Sequence, residues 1–518
     1  MSASKLSFSA EDALNLPRRA LASLVPTYLR RNTADDDKPR RVHRTSALDG
    51  LRGIAALFVF FFHVLFSYQQ FVEYGYGQSQ QQTRLIQLPF ISLFYRGHAM
   101  VSVFFVVGGY VLSMKPLTLV HARQYSAAHS ALVSSVFRRG IRLYMPAIVA
   151  TFMTMLSIYA GLWEYPRRFI TEDRQFIWYS DSHPARQSSF GHQLRDWFSA
   201  TINLTDLFNY YNKNGFLMPY YNDYDPHLWT VPFEYRSSLV VTMVLLAFSR
   251  CKTFPRLALM VGTIIFCGMW DRWELVCFLT GTLLCDLDIA TRGAAVNDPD
   301  SDSEELYDFE KLPTMEHKTS ASAGRLSGLI SEARRGSTIL LTRPGFKRWI
   351  VFFTIGLYFL STPNLGIDET PGYQWLFIHL TPHTYTDKKR FLQSLGAILV
   401  TWSVANCSAL QRPFDTPFAQ YLGKISYALY IVHGPLIHIV GYSVTPSVWI
   451  WVTGMNGWSY LVGLVIGTLV LAVCVAVMAD WFWRVVDTRA VQLSRWFEDC
   501  VSSEREIASV RRPYTTPL

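Results

Sequence analysis

The feature that most constrains this chain is the recurrence of apolar runs close to twenty residues long. A hydrocarbon core of about 30 Å takes about 20 helical residues to cross. Ten segments supply or approach that length: 48–68, 98–114, 144–163, 230–249, 255–270, 273–288, 349–363, 391–407, 422–443 and 458–483. In lipid every backbone N–H and C=O must find its partner inside the span, so runs of this length are read as helices. The expected fold class is all-α, a polytopic membrane helix bundle of about ten transmembrane helices, with the fifth to eighth short or interrupted. Composition agrees, since half the residues are hydrophobic and only 17% are charged, which excludes a disordered or collagen-like chain. The net charge of +9 lies in short basic clusters beside the apolar runs, so no nucleic-acid partner is expected. Seven Cys form no disulfide framework.

Orientation follows from the basic flanks. Arg30, Arg31, Lys38, Arg40, Arg41 and Arg44 precede the first span, which predicts a cytoplasmic N-terminal segment 1–44 and a first span retained as a signal anchor. Ten crossings then place segment 115–143 and the C-terminal tail 486–518 inside and the loop 164–229 outside. Asn203-Leu204-Thr205 in that loop reads as a glycosylation acceptor, and the loop holds no Cys. Residues 289–346 carry an acidic Ser-rich patch followed by Ser, Gly and Arg, and read as a disordered cytoplasmic insert in a membrane domain spanning 45–485.

Three ionisable residues interrupt the first span. At 100° per residue Arg52 and His63, eleven apart, differ by about 20° around the helix axis, and Asp49 lies about 40° from His63. Each costs a few kcal/mol toward lipid, so the stripe faces a bundle interior or a wet cavity. An interfacial Asp49–Arg52 ion pair and a packed core His63 would be the purely structural explanation. A proton-coupled transporter would use the same stripe.

Five pieces carry a resemblance. Leu48-Asp49-Gly50-Leu51-Arg52-Gly53-Ile54-Ala55-Ala56, with His63 eleven residues after Arg52, resembles the opening helix of the integral-membrane acyltransferase-3 family. Phe104-Phe105-Val106-Val107-Gly108-Gly109-Tyr110, Arg138-Arg139-Gly140-Ile141-Arg142, Trp229-Thr230-Val231-Pro232-Phe233-Glu234 and Ser426-Tyr427-Ala428-Leu429-Tyr430-Ile431-Val432-His433 resemble its later motifs, in order. Gly108 and Thr230 stand where that family usually has Ser. The similarity covers about 45–485 and looks like a fungal member.

The resemblance implies an O-acyltransferase that takes an acyl group, expected to be acetyl, from acyl-CoA to a hydroxyl-bearing acceptor, in the bilayer, with no tightly bound cofactor. A histidine buried away from competing charge stays neutral, so His63 is the expected general base, or the residue that briefly carries the acyl group. Arg52 would stabilise the thioester oxyanion or hold donor phosphate. Arg138, Arg139 and Arg142 are expected to bind the donor's phosphates, or else to serve as positive-inside anchors. Glu234 is placed in the catalytic set, or pairs structurally with Arg236 or Arg52; seven residues after His227, it would share that residue's helical face. Asp49, Trp229, His227, Tyr430 and His433 are expected at the substrate, His433 alternatively as a core histidine. No metal is expected, because His63, His227 and His433 lack a close Cys or His partner at ligand spacing.

Overall fold

A computed structural model describes residues 25–29, 45–173, 175–207, 222–296 and 345–502. Among the described residues there are helices and turns and no strand. The elements used below are α1 (Ser46–Tyr68), α2 (Gly97–His121), α3 (Tyr125–Tyr159), α4 (Glu164–Thr171), α5 (Phe190–Thr205), α6 (Thr230–Phe248), α7 (Thr253–Met269), α8 (Trp273–Val296), α9 (Phe346–Leu360), α10 (Lys388–Asn406), α11 (Pro417–Leu436), α12 (Trp458–Phe482) and α13 (Thr488–Val501). Each of the ten expected spans falls on one of these helices.

Among the described residues, six helical stretches are long and apolar enough to cross a membrane: Ser46–Tyr68, Gly97–His121, Tyr125–Tyr159, Pro226–Phe248, Pro417–Thr453 and Trp458–Val501, with Thr253–Met269 a shorter apolar helix. The chain is an all-α polytopic membrane bundle. Its outer surface fits that medium: Phe254 and Ile265 on α7 and Trp458, Leu469 and Val473 on α12 are all exposed large apolar side chains.

The two largest apolar cores share α1. One joins α1 to α2, α6, α8 and α10; the other joins it to α3, α6, α11 and α12. The contact between α1 and α11 is a backbone contact. A Cβ on Gly423 would lie 2.5 Å from the Asp49 carbonyl oxygen, so only glycine lets the two helices meet this closely. That approach fixes the depth of α11 against α1, and with it the level at which the side chains of each meet.

Two of the connections are themselves partly helical. The stretch 115–143, expected as an inside connection, is almost wholly helical, broken only between His121 and Tyr125. The loop 164–229 contains α4, α5 and a 3-10 turn at Pro226–Trp229, and Asn203 is exposed on α5. Most of the expected disordered insert lies outside the described residues, although its first part, to Val296, is the end of α8. Most of the N-terminal segment and the end of the C-terminal tail also lie outside them. Three π-helical turns, Ile437–Gly441, Trp449–Thr453 and Trp483–Asp487, interrupt the late helices. Such turns re-aim a helix at the cost of one register step.

Candidate active site

Arg52 lies in the first half of α1, close to α11. Its Nε donates to Ser426 Oγ at 3.2 Å and its terminal nitrogen to the Gly423 carbonyl at 3.3 Å. Asp49 sits 3.7 Å away, with both side chains more than a third exposed, so this ion pair contributes little. Arg52 opens on a cavity of 430 Å³ walled by α1, α2, α3, α6, α11, α13 and the π turn before α13. That volume falls in the range of small-molecule sites, roughly 300–1,000 Å³. Its cations are Arg52, Arg139, Arg142, Lys424 and Arg495, against the carboxylates of Glu234 and Asp487. Apolar walls come from Val59, Phe104, Phe105 and Leu143.

Thr230 and Tyr430 also line the cavity. Their hydroxyl oxygens are 2.6 Å apart, and Tyr430 donates to the His227 carbonyl oxygen. Three histidines lie about one turn beyond these lining residues. His63 follows Val59 by four residues on α1, His433 follows Tyr430 by three on α11, and His227 precedes Thr230 by three. The fold brings these imidazoles together: ring centroids are 4.1 Å apart for His63 and His227, 5.2 Å for His63 and His433, and 4.7 Å for His227 and His433. His227 and His433 are buried, and His63 is partly accessible.

Hydrogen bonds give each ring a role. Asp225 caps the 3-10 turn, accepting from the His227 backbone N–H at 3.1 Å, and the same carboxylate oxygen lies 2.8 Å from His227 Nδ1. His227 Nε2 then faces His63 Nδ1 at 3.1 Å and Asp181 Oδ2 at 3.2 Å. On α11, His433 Nδ1 lies 2.7 Å from the Tyr430 carbonyl. A carbonyl only accepts, so Nδ1 carries the hydrogen and Nε2 keeps its lone pair. That Nε2 is buried with no partner among the described residues. Burial pushes the Asp225 carboxyl up from its ordinary range. Burial pushes Asp181 the same way, but its hydrogen bond with His227 outweighs this and holds it below that range.

A second histidine pair supports the loop that carries Asp181. His183 Nδ1 meets His438 Nδ1 at 2.8 Å, and His183 Nε2 donates to the Trp163 carbonyl at 2.9 Å. The His438 ring stacks on Trp163 with centroids 4.7 Å apart. Burial lowers the His183 pKa to about 4.

Several expectations are corrected by this geometry. His63 is not remote from charge, because two carboxylates stand one imidazole away. The three histidines do have close partners, with ligand atoms all within 4.8 Å of one another; sequence spacing hid this because they come from three separate elements. Among the described residues they are the group that could hold a metal ion, and the 3.1 Å between His63 and His227 is also an ordinary hydrogen-bond separation. Glu234 pairs with Arg139 at 2.9 Å, while Arg236 pairs with Glu274 at 2.7 Å. Glu234 and His227 do not share a helical face, since His227 lies in the 3-10 turn before α6. Arg138 is not a cavity residue; it bonds Glu498 at 3.2 Å. Asp49 and Trp229 do not line the cavity either. Trp229 packs on Phe233 and Trp273, with the Arg390 guanidinium 5.7 Å from its ring.

Sequence reasoning missed Asp225 and Asp181. Asp225-Pro226-His227 carried a signal, because an Asp two residues before a His at a Pro-led helix start can cap the turn and reach the ring together. Asp181 carried none, since a loop residue's place is set by tertiary packing.

Residues 45–296 match a family model described as an acyltransferase domain, of the acyltransferase-3 type. The O-acetyltransferase PaAT-1 of Phomopsis amygdali is 30% identical over 471 residues, 88% of this chain and 85% of that protein. Acyltransferase clz18 of Cochliobolus lunatus is 24% identical over 90% of this chain and 97% of its own length, and acyltransferase R4 of a Phoma species 24% over 87% and 95%. No solved structure matches.

Proposed function

Because the chain belongs to the acyltransferase-3 family, as a fungal-type, multi-pass membrane acyltransferase, we propose that it moves an acyl group from acyl-CoA to an acceptor hydroxyl, with His63 as general base. The observation that carries this reading is the meeting of three imidazoles about one turn beyond a cavity lined by five cations. Basic side chains suit the donor's phosphates, and the apolar walls suit its thioester-bearing arm. The printed name of PaAT-1, an O-acetyltransferase, favours oxygen as the acceptor atom and acetyl as the group.

The proton path follows from the hydrogen bonds. In the state in which His227 is neutral, with its hydrogen on Nδ1 toward Asp225, a hydrogen on His63 Nδ1 is shared toward His227 Nε2, and the other nitrogen of His63 holds a lone pair. That Nε2 takes the proton of the acceptor hydroxyl as its oxygen attacks the thioester carbonyl. The Nδ1 hydrogen can then pass to His227, whose cation lies between the Asp225 and Asp181 carboxylates. Collapse of the tetrahedral intermediate breaks the C–S bond, and the proton returns through His63 to the leaving thiolate. Ester and free CoA thiol are the products. The Tyr430 hydroxyl is committed to the His227 carbonyl and the Thr230 hydroxyl to Tyr430, so this pair holds the turn that carries His227 in place. His433, held through Nδ1 by the Tyr430 carbonyl, packs against the His63 and His227 rings and positions them. Arg52, about 16 Å from His63 by helix rise, suits donor phosphate rather than the oxyanion.

The test is label transfer from radiolabelled acetyl-CoA into extracted lipid, glycan and small-molecule pools of membranes carrying the protein. Wild type should label a product, and His63→Ala should abolish it at matched expression. Undiminished label in His63→Ala would remove the base from His63.

A further inference from the structure

The C-terminal helix α13 lies far beyond the family-matched region, yet it forms one wall of the cavity. Thr488, Val491, Gln492 and Arg495 all line it. Their spacing of 0, 3, 4 and 7 places them within one arc of about 100° on the helix. Arg142 and Lys424 line the same cavity from α3 and α11. Arg139 has Glu234 and Arg52 has Asp49. Lys424 and Arg495 have no carboxylate partner among the described residues. Two cations facing one cavity with no carboxylate at ion-pair distance, beside Arg52, Arg139 and Arg142 and against two carboxylates in all, suit an anion.

The helix is also held in place. The Phe137 and Phe497 rings stack with centroids 5.4 Å apart, Arg138 bonds Glu498, and Ala490 and Ser494 are buried. The π turn Trp483–Asp487 joins α12 to α13, and its Asp487 lines the cavity. Arg489 donates to Gln492 Oε1 at 3.1 Å, which orients that side chain from its own helix.

We propose that α13 is a donor clamp: Arg495 and Gln492, with Lys424 opposite, bind the phosphate-bearing nucleotide end of acyl-CoA, while the thioester arm runs inward past Arg52 toward the histidines. This rests on the acyl-CoA reading above and deepens it, because the donor's nucleotide is read by a helix outside the motif-bearing spans. Arg138 then contributes by positioning α13 and does not itself touch the donor.

The experiment measures binding of CoA and of acetyl-pantetheine, which lacks the nucleotide, to the purified full chain in phosphatidylcholine discs. Wild type, Arg495→Ala, Lys424→Ala and a control, Arg412→Ala, an exposed cation outside the cavity, are compared. Arg495→Ala and Lys424→Ala should each raise the Kd for CoA roughly tenfold, the loss expected for one charge-assisted contact. Both should leave acetyl-pantetheine binding unchanged, as should Arg412→Ala for either ligand. Equal weakening of both ligands, or wild-type affinity in both variants, overturns the clamp while wild-type CoA binding keeps the donor reading. No CoA binding by wild type overturns both. A parallel arm adds phosphatidic acid to the discs: if wild type loses CoA affinity there and the variants match it, the cations read a lipid phosphate and the clamp assignment fails.

Discussion

Replacing Asp225 by Asn tests the relay with little disturbance of the fold. Asn caps helix starts as well as Asp does, and its carbonyl can still accept from the His227 backbone N–H. What disappears is the charge. The path from Asp225 Oδ1 to His63 Nδ1 consists of a 2.8 Å contact, one imidazole ring and a 3.1 Å contact. That is about 8 Å, and at an effective dielectric of about 20 a unit charge at this range stabilises an imidazolium by roughly 2 kcal/mol. The transition state that protonates His63 should lose that amount, a rate about 30-fold lower. The assay is the initial rate of acetyl transfer in membranes, with expression matched by immunoblot and saturating donor. A wild-type Kd for CoA alongside the lower rate would assign the loss to the chemical step. A rate within threefold of wild type, with His63→Ala inactive, would refute the relay and leave His63 acting without Asp225.

Three further outcomes are expected. Gly434→Ala should reduce activity by more than tenfold with normal membrane insertion, read by the same transfer assay, because the new Cβ would lie 2.5 Å from His227 Nδ1 and 2.8 Å from Asp225 Oδ1. Arg138→Glu and Glu498→Arg should each weaken CoA binding severalfold, and the double exchange should recover at least half the loss in binding free energy, since the pair is partly buried. For His183, whose pKa in the docked loop is lowered to about 4 by burial, the undocked loop binds the proton first as pH falls. Docking should therefore be intact above pH 6.5, weaken as pH falls toward 4 by up to about 3 kcal/mol, and change no further below. Hydrogen exchange over residues 175–189 checks this, and His183→Gln should flatten the dependence.

The fold was largely legible because a bilayer imposes one length scale and one hydrogen-bond rule, and both are written in runs of apolar residues. Arg52 and His63 were legible for a related reason: ionisable groups on one helical stripe are costly toward lipid, and the helical period can be counted. The partners of those residues were not. Arg236 and Arg52 were the expected partners of Glu234, and it meets Arg139 instead because of how α3 packs on α6. Arg138 and Arg139 are adjacent in sequence, yet one faces the cavity and the other faces α13, because neighbouring residues on a helix point about 100° apart. The histidine cluster required three elements to converge at one depth, a fact about tertiary packing that no spacing within a single element encodes.

The α1–α11 contact explains why that depth is reproducible. Gly423 holds α11 against the backbone of α1 at Asp49, and the three residues that matter are measured from this point along rigid helices. Ser426, three residues on, bonds Arg52; Tyr430 and His433 follow at four and three residues more, and His433 arrives beside His63. From residue 423 to 433 the rise is about 15 Å, and from 52 to 63 about 16 Å, so two antiparallel or parallel helices could share one level but only a parallel pair starting together keeps both levels. Arg52 sits by Gly423 and His63 by His433, so α1 and α11 run parallel and act as matched rulers. A residue inserted between Val59 and His63, or between Tyr430 and His433, would rotate the far group by about 100° and break the histidine meeting while leaving the cavity-lining residues before it on each helix in place. Donor binding without transfer is the signature expected of such a variant, and it separates the two ends of the site in one measurement.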